Sequence, residues 1–177
     1  MSNGIHRLWL SQAHSDLAAS DRVLITADGS TYCQAISKYQ QAVEKTVKAL
    51  GAALRSAGIM TLPDKYYYRH DVTEMAKAMS RPVVIGGRSV LPSIQNTLHS
   101  GAMQEITKLC SLAPARPQPG TLHPQNTEYP YEIRFGQWTY PAGPSSFKWK
   151  DVERFQRFSK RLYYDCSRII AALDRAP

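Results

Sequence analysis

One long apolar stripe with helical spacing restricts the fold more than any other feature of the sequence. Between Thr31 and Ala57, apolar side chains recur at intervals of three and four residues, at Tyr32, Ile36, Tyr39, Val43, Val47, Leu50 and Leu54. Such a stripe predicts an amphipathic helix of roughly seven turns that buries one face. Glu44 precedes Lys48 by four residues, the favourable order for an ion pair on an exposed helix face. We therefore expect this pair to face water.

A second helix is predicted before it, from Ile5 to about Ala27. Its apolar residues lie roughly on one side, at Leu8, Leu10, Ala13, Leu17, Leu24 and Ile25, and Asp16, Asp21 and Arg22 are expected to face water. The segment Asp28-Gly29-Ser30 ends this helix and starts the next. Because so few residues connect them, the two helices should pack antiparallel.

Further helices are predicted towards the C-terminus. A short one starts near His70, a longer one runs from about Val90 to Leu112 with Ser89 as its cap, and the last runs from about Phe147 to Leu173. Their inward residues are expected to be Val72, Met75 and Met79, then Leu91, Ile94, Leu98, Ile106 and Leu109, then Val152, Phe155, Leu162, Cys166, Ile169 and Leu173. The stretch from Val83 to Gly87 is consistent with a brief extended segment, without an evident partner strand.

Residues 113–146 hold seven prolines, a density that no helix survives. Aromatic residues in the same segment need a surface to pack on, so we expect a folded-over loop; they are Tyr129, Tyr131, Phe135, Trp138 and Tyr140. The sequence therefore predicts a single all-α domain over residues 1–177. It is an up-and-down bundle of four to five helices with a long proline- and aromatic-rich loop before the last one.

The charge balance points to polyanionic partners. Lys and Arg number 22 against 14 acids, giving a net charge of +8, which favours nucleic acid, nucleotides or an anionic membrane face. The three scattered cysteines are expected to be reduced and buried, which fits the cytoplasm. The N-terminal segment lacks a signal-peptide core and no apolar run reaches about 18 residues. A membrane partner is therefore not expected.

Most motifs that carry chemistry are missing from the sequence. It contains no GxGxxG, GxxxxGK[ST], HExxH or GxSxG motif and no Cys/His spacing for zinc. We therefore predict neither a metal nor a cofactor.

Two groups of residues remain as candidates for a site. Arg69 and His70 follow three tyrosines, and together they could bind phosphate, transfer protons and stack on a base. The alternative is a structural helix start with packing tyrosines. On the last helix, basic residues form a ridge of helical period made of Lys150, Arg154, Arg157, Arg161 and Arg168. The ridge could neutralise successive phosphates, or it could be a solvated helix face.

The sequence resembles HEPN domains, a family of small and commonly dimeric helical bundles. The resemblance rests on WLSQAHSDLAAS, on the run QQAVEK followed by Lys48-Ala49, on His70-Asp71-Val72, and loosely on the segment from Tyr129 to Phe135. It covers residues 5–79 and 129–173, and residues 80–128 look like an insertion. Many members are metal-independent RNases of toxin–antitoxin and defence systems. Others pair with a small nucleotidyltransferase or bind nucleotides.

The family's RNases carry an arginine, four to six residues, and a histidine near the start of the last long helix. This sequence departs from that pattern because its last helix has no histidine. Arg116 and His123 have a spacing that fits, but they lie in a turn-rich segment. The resemblance therefore implies a cytoplasmic homodimer that binds nucleotide, RNA or a partner protein, and it leaves enzyme activity undecided. The positions carried over are Lys45, Lys48, His70 and Arg134.

Three functions stay open at this point. The first is a non-catalytic binding protein whose ligand-facing groups are Lys45, Lys48, Arg69, His70, Arg134, Arg154, Arg157 and Arg161. The second is a metal-independent RNase with a displaced pair, either Arg116 with His123 or His70 with Arg69 or Arg134. The third is a dimerisation or adaptor module in which the basic ridge is dispensable.

Overall fold

The computed structural model describes residues 4–25, 31–81, 83–85, 88–90, 92–113, 125–128, 130–143 and 146–175. This part of the chain is mainly helical, as predicted. The helices are α1 (Ile5–Ile25), α2 (Tyr32–Ser56), α3 (Thr73–Ser80), α4 (Pro92–Thr97), α5 (Ser100–Ser111) and α6 (Trp149–Leu173). A single 3-10 turn, Asp64–Tyr66, follows α2. The strands are β1 (Val83–Ile85), β2 (Arg88–Val90), β3 (Tyr131–Arg134) and β4 (Gln137–Thr139), which form two separate antiparallel hairpins.

Helix α2 lies at the centre of the bundle and packs against both α1 and α6. The residues of its predicted stripe from Ile36 to Leu54 are at most 1% exposed, so the stripe is confirmed. Because neighbours cover α2 on more than one side, burial extends past the stripe to polar residues, among them Gln40, Glu44 and Lys48. The prediction that Glu44 and Lys48 pair on the surface is therefore wrong.

In helix α1, Ala13 and Leu17 are buried as predicted, but three other residues differ from the prediction. Leu8 and Ile25 are 69% and 83% exposed, whereas Asp16 is 4% exposed. The buried residues are His6, Ala13, Asp16, Leu17 and Ser20, which recur at helical spacing. Asp16 can be buried because Lys45 of α2 donates a hydrogen bond to its carboxylate.

The region between α3 and α5 contains two corrections to the predicted fold. The extended stretch at Val83 has a partner after all, because β1 pairs with β2. Ser89 lies in β2 and so does not cap a helix. The predicted fourth helix is divided into α4 and α5, since Nδ1 of His99 accepts hydrogen bonds from the N–H groups of Gly101 and Ala102 and starts a new helix there.

The proline-rich segment before α6 is more regular than predicted. It contains the β3–β4 hairpin, which turns at Gly136 with φ +78°. Tyr131 packs inward and donates a hydrogen bond to Oγ of Ser146 at 2.9 Å. In contrast to the prediction, Phe135, Trp138 and Tyr140 are mostly exposed.

Three free thiols lie in the core, one each on α2, α5 and α6. They belong to Cys33, Cys110 and Cys166, and all are buried. Burial raises the pKa of Cys110 to about 11 and that of Cys166 to about 12. Among the described residues, none of the helices combines the length and apolarity that a bilayer crossing requires.

Candidate functional site

A chain of three charged or titratable side chains runs from the bundle interior to the surface. Nζ of Lys48 donates a hydrogen bond to Oε1 of Glu44 at 2.6 Å, and Nδ1 of His70 lies 3.1 Å from Oε2 of the same carboxylate. The side chains of Lys48 and Glu44 are 4% and 6% exposed, whereas that of His70 is 82% exposed. The structure thus brings together two of the predicted site residues through a carboxylate that the sequence analysis placed on the surface.

This arrangement fixes the role of each nitrogen of the His70 ring. An ionised carboxylate only accepts hydrogen bonds, so Nδ1 of His70 carries the proton that it donates to Glu44. In the neutral ring, Nε2 is then an acceptor that faces solvent. A histidine oriented in this way by a carboxylate has the geometry of a general base.

Lys48 also connects these three linked side chains to a groove at the surface. Its Nζ lies 5.1 Å from the centroid of the Trp9 ring, which is a cation–π distance. Trp9 lines a cavity of about 660 Å³, a size usual for small-molecule sites. We call it the aromatic groove; it is lined by Ile5 and Trp9 of α1, Ala52 and Arg55 of α2, and Asp64, Tyr67 and Tyr68 of the following connection.

Glu44, Lys48, Ala52 and Arg55 recur at intervals of four, four and three residues along α2. They therefore share one helix face. Ala52 and Arg55 line the aromatic groove, and Glu44 contacts His70. The groove and the Lys48–Glu44–His70 chain therefore lie along the same face of α2.

Helix α3 and the connection approach α2 closely at Gly51. A Cβ atom at this position would lie 2.2 Å from Cε of Met75, 3.0 Å from Cδ1 of Leu62 and 3.4 Å from the Tyr67 hydroxyl. A side chain at Gly51 would therefore force Met75 to move. The small residue lets Met75 of α3 and the connection pack directly against α2.

The polar groups of the aromatic groove are only partly satisfied. Nη1 of Arg55 binds Oδ1 of Asp64 at 2.6 Å in an exposed ion pair, an interaction that solvent weakens. The hydroxyl of Tyr67 is buried without a hydrogen-bond partner in the described structure, and burial raises its pKa. The groove thus offers an arginine beside three aromatic rings.

The other predicted residues of this region do not take part in the Lys48–Glu44–His70 chain. Lys45 binds the buried carboxylate of Asp16 on the α1 side of α2. Arg69 is exposed next to His70, and Arg134 is exposed in β3. No hydrogen bond or ion pair joins Arg134 to His70 within the described part of the chain.

The basic ridge on α6 faces water, as its predicted role requires. However, several of its arginines form ion pairs with acidic side chains. Nε and Nη2 of Arg154 both donate hydrogen bonds to the carboxylate of Glu105 on α5, and Nε lies 2.8 Å from Oε1. Arg157 lies 3.8 Å from Glu153 and Arg161 lies 3.7 Å from Asp165. Lys160, beside the ridge, binds Asp21 at 2.8 Å.

Arg116 and His123 lie outside the described residues. Within the described ranges, no three His, Cys, Asp or Glu side chains are grouped so that they could hold a metal ion. No protein-family model, curated protein or solved structure matches the chain.

Sequence reasoning missed Trp9 and Arg55 as site residues. Trp9 stands in an unremarkable amphipathic segment, and Arg55 is one cation near a helix end. The one available signal was the spacing that places Arg55 on the same helix face as Glu44 and Lys48.

Proposed function

We propose that the chain binds a nucleotide or RNA in the aromatic groove. The observation that carries this proposal is the presence of three aromatic side chains, Trp9, Tyr67 and Tyr68, beside Arg55 in one cavity of about 660 Å³. Aromatic rings stack on nucleobases, and a guanidinium binds phosphate in a bidentate manner. A base on Tyr68 or Trp9 would leave its phosphate within the reach of Arg55.

The Arg55–Asp64 pair is compatible with this use. Both side chains are substantially exposed, at 48% and 71%, so a phosphate could replace Asp64 as the partner of Arg55 without leaving a carboxylate buried. The net charge of +8 supports an anionic ligand. The resemblance to HEPN domains points to the same ligand class. It extends the proposal to a cytoplasmic homodimer of a toxin–antitoxin or defence system, with a nucleotidyltransferase or another protein as its partner.

The test is a calorimetric titration with ATP and with a ten-nucleotide oligouridylate. Tyr68 is 85% exposed, so Tyr68→Ala removes a stacking surface without disturbing the core. Stacking of one base contributes about 1–3 kcal/mol, so we expect affinity to fall roughly 5- to 150-fold. The matched control is Tyr164→Ala, which removes a tyrosine that is 64% exposed on α6. Equal affinities for Tyr68→Ala and Tyr164→Ala would refute the aromatic groove as the binding site.

A second candidate function is metal-independent RNA cleavage with His70 as general base. It is favoured by the contact between Glu44 and Nδ1 of His70, which leaves Nε2 available for the ribose 2′-hydroxyl. Arg69 next to it could stabilise the phosphate. The third function, a dimerisation or adaptor module, requires neither the groove nor His70.

RNA incubated with the protein in EDTA separates these functions. Under the RNase proposal, His70→Ala abolishes cleavage, and Glu44→Gln slows it because the ring loses its orienting carboxylate. His14→Ala is the control, since His14 is exposed on α1 and contacts the ring of Tyr163. Binding without cleavage by the natural protein would exclude the RNase and leave the binding function.

A further inference from the structure

Four arginines recur every seven residues near the C-terminal end of the chain: Arg154, Arg161, Arg168 and Arg175. Seven residues fall only about 20° short of two helical turns, so these side chains start from one face of α6 and its continuation. Arg154 already donates hydrogen bonds to the carboxylate of Glu105. The three arginines that follow line a single cavity of about 630 Å³ between α4 and α6. We call this cavity the arginine groove.

The opposite wall of the arginine groove is polar. Ser93, Asn96 and Thr97 of α4 line it with two hydroxyls and an amide. A smaller cavity of about 150 Å³ shares Asn96, Thr97 and Arg161 and extends the groove towards Glu105. The groove thus combines cations on one side with hydrogen-bonding groups on the other.

The charge of the arginine groove is positive. Asp165, 3.7 Å from Arg161, is the acid among the described lining residues. Three arginines against one carboxylate leave a formal charge of 3 − 1 = +2. Arg168 has no carboxylate partner in the described part of the chain, and Nε of Arg175 binds only the carbonyl oxygen of Ala171. These two arginines are available for an anion.

The spacing of the arginines fits a nucleic-acid backbone. A rise of about 1.5 Å per residue puts successive arginines roughly 10.5 Å apart and the outer two roughly 21 Å apart. A stacked strand advances about 3.4 Å per nucleotide, so each arginine would meet about every third phosphate. No aromatic ring lines the 630 Å³ cavity among the described residues, so the groove suits the backbone and not the bases.

We propose that the arginine groove binds the phosphate backbone of single-stranded RNA over about six nucleotides. Ser93, Asn96 and Thr97 can exchange hydrogen bonds with ribose 2′-hydroxyls, the groups that distinguish RNA from DNA. This inference deepens the proposed function and rests on its ligand being RNA. The aromatic groove would stack bases, and the arginine groove would hold the strand.

The test measures the affinity for the ten-nucleotide oligouridylate at several KCl concentrations. Each neutralised phosphate of a single strand contributes about −0.7 to the slope of log K against log salt. Arg168→Ala/Arg175→Ala should make the slope less steep by about 1.4. The control is Arg22→Ala/Lys77→Ala, which also removes two positive charges, from exposed side chains of α1 and α3 that do not line the groove. Its slope should equal that of the natural protein.

The outcomes separate this inference from the proposed function. ATP binding should be unchanged in Arg168→Ala/Arg175→Ala and weakened in Tyr68→Ala. An unchanged slope in Arg168→Ala/Arg175→Ala, or an equal loss of slope in Arg22→Ala/Lys77→Ala, would overturn the arginine groove while leaving the aromatic groove untouched. Equal affinity for the matching ten-nucleotide oligodeoxyuridylate would overturn the assignment to RNA. The aromatic groove alone would be overturned by a different result. In that case, Tyr68→Ala would leave ATP binding unchanged, while Arg168→Ala/Arg175→Ala would make the slope of log K against log salt less steep.

Discussion

Replacing Lys48 with methionine should destabilise the protein far more than the loss of one lysine normally does. Lys48 and Glu44 are 4% and 6% exposed, so their pairing offsets the cost of removing two charges from water. Methionine fills a similar volume but removes the lysine that pairs with the buried Glu44 carboxylate. Removing one partner of such a buried pair costs about 3–5 kcal/mol.

The double variant Glu44→Leu/Lys48→Met should restore most of this loss. It removes the buried carboxylate together with its partner, and apolar replacements of buried ion pairs are close to neutral. We expect the double variant to lie within about 1 kcal/mol of the natural protein. The methionine can still contact the Trp9 ring through its sulfur.

Urea unfolding at pH 8, followed by far-UV circular dichroism, measures both free energies. The matched control is Lys77→Met, because Lys77 forms an exposed pair with Glu74 at 2.7 Å and should lose at most about 1 kcal/mol. The reasoning is refuted if Lys48→Met costs no more than Lys77→Met. It is also refuted if the double variant is as unstable as Lys48→Met alone.

Three further predictions concern packing, pH and helix capping. Gly51→Ala should lose about 1 kcal/mol in thermal unfolding, because the clash with Met75 outweighs the gain in helix propensity; a gain in stability would contradict the close approach. Although burial acts to raise it, hydrogen bonds from Lys160 and Gln156 hold the pKa of Asp21 below its ordinary value of 3.8. A lowered pKa in the folded state adds stability that is present above pH 3.8 and is lost as the pH falls through the folded value. Asp21→Asn should therefore flatten the decline of stability below about pH 4 in acid titrations, and an unchanged profile would count against the contact. His99→Ala should lower the free energy of unfolding by about 1 kcal/mol, because two N–H groups at the start of α5 lose their acceptor; no change would mean that water replaces the cap.

The helices could be predicted from the sequence where their apolar period is long. The stripe on α2 extends for the whole helix, and its predicted limits, Thr31 and Ala57, differ by one residue at each end from the observed ones, Tyr32 and Ser56. The hairpin of Val83–Ile85 and Arg88–Val90 could not be predicted this way, because strands of three residues have too few positions to reveal an alternating pattern.

The candidate site was harder to predict than the fold. The sequence identified His70 and Lys48 but not the burial of Glu44, because a helical period reports one buried face and not the cover that other segments add. Trp9 is 35 residues before Glu44 in the chain, and only the antiparallel packing of α1 on α2 brings it over Lys48. Spacing along the chain contains no information of this kind.

The reactivity of the three buried thiols can be used to measure local opening of the bundle. Only the thiolate attacks a disulfide reagent, and burial raises the pKa of each of these cysteines. Labelling at pH 8 therefore requires that a helix first separates from the core. The labelling rate then measures the frequency of that opening. Because Cys33, Cys110 and Cys166 lie on α2, α5 and α6, peptide-resolved labelling would time three helices separately. RNA bound along α6 would slow the labelling of Cys166 first.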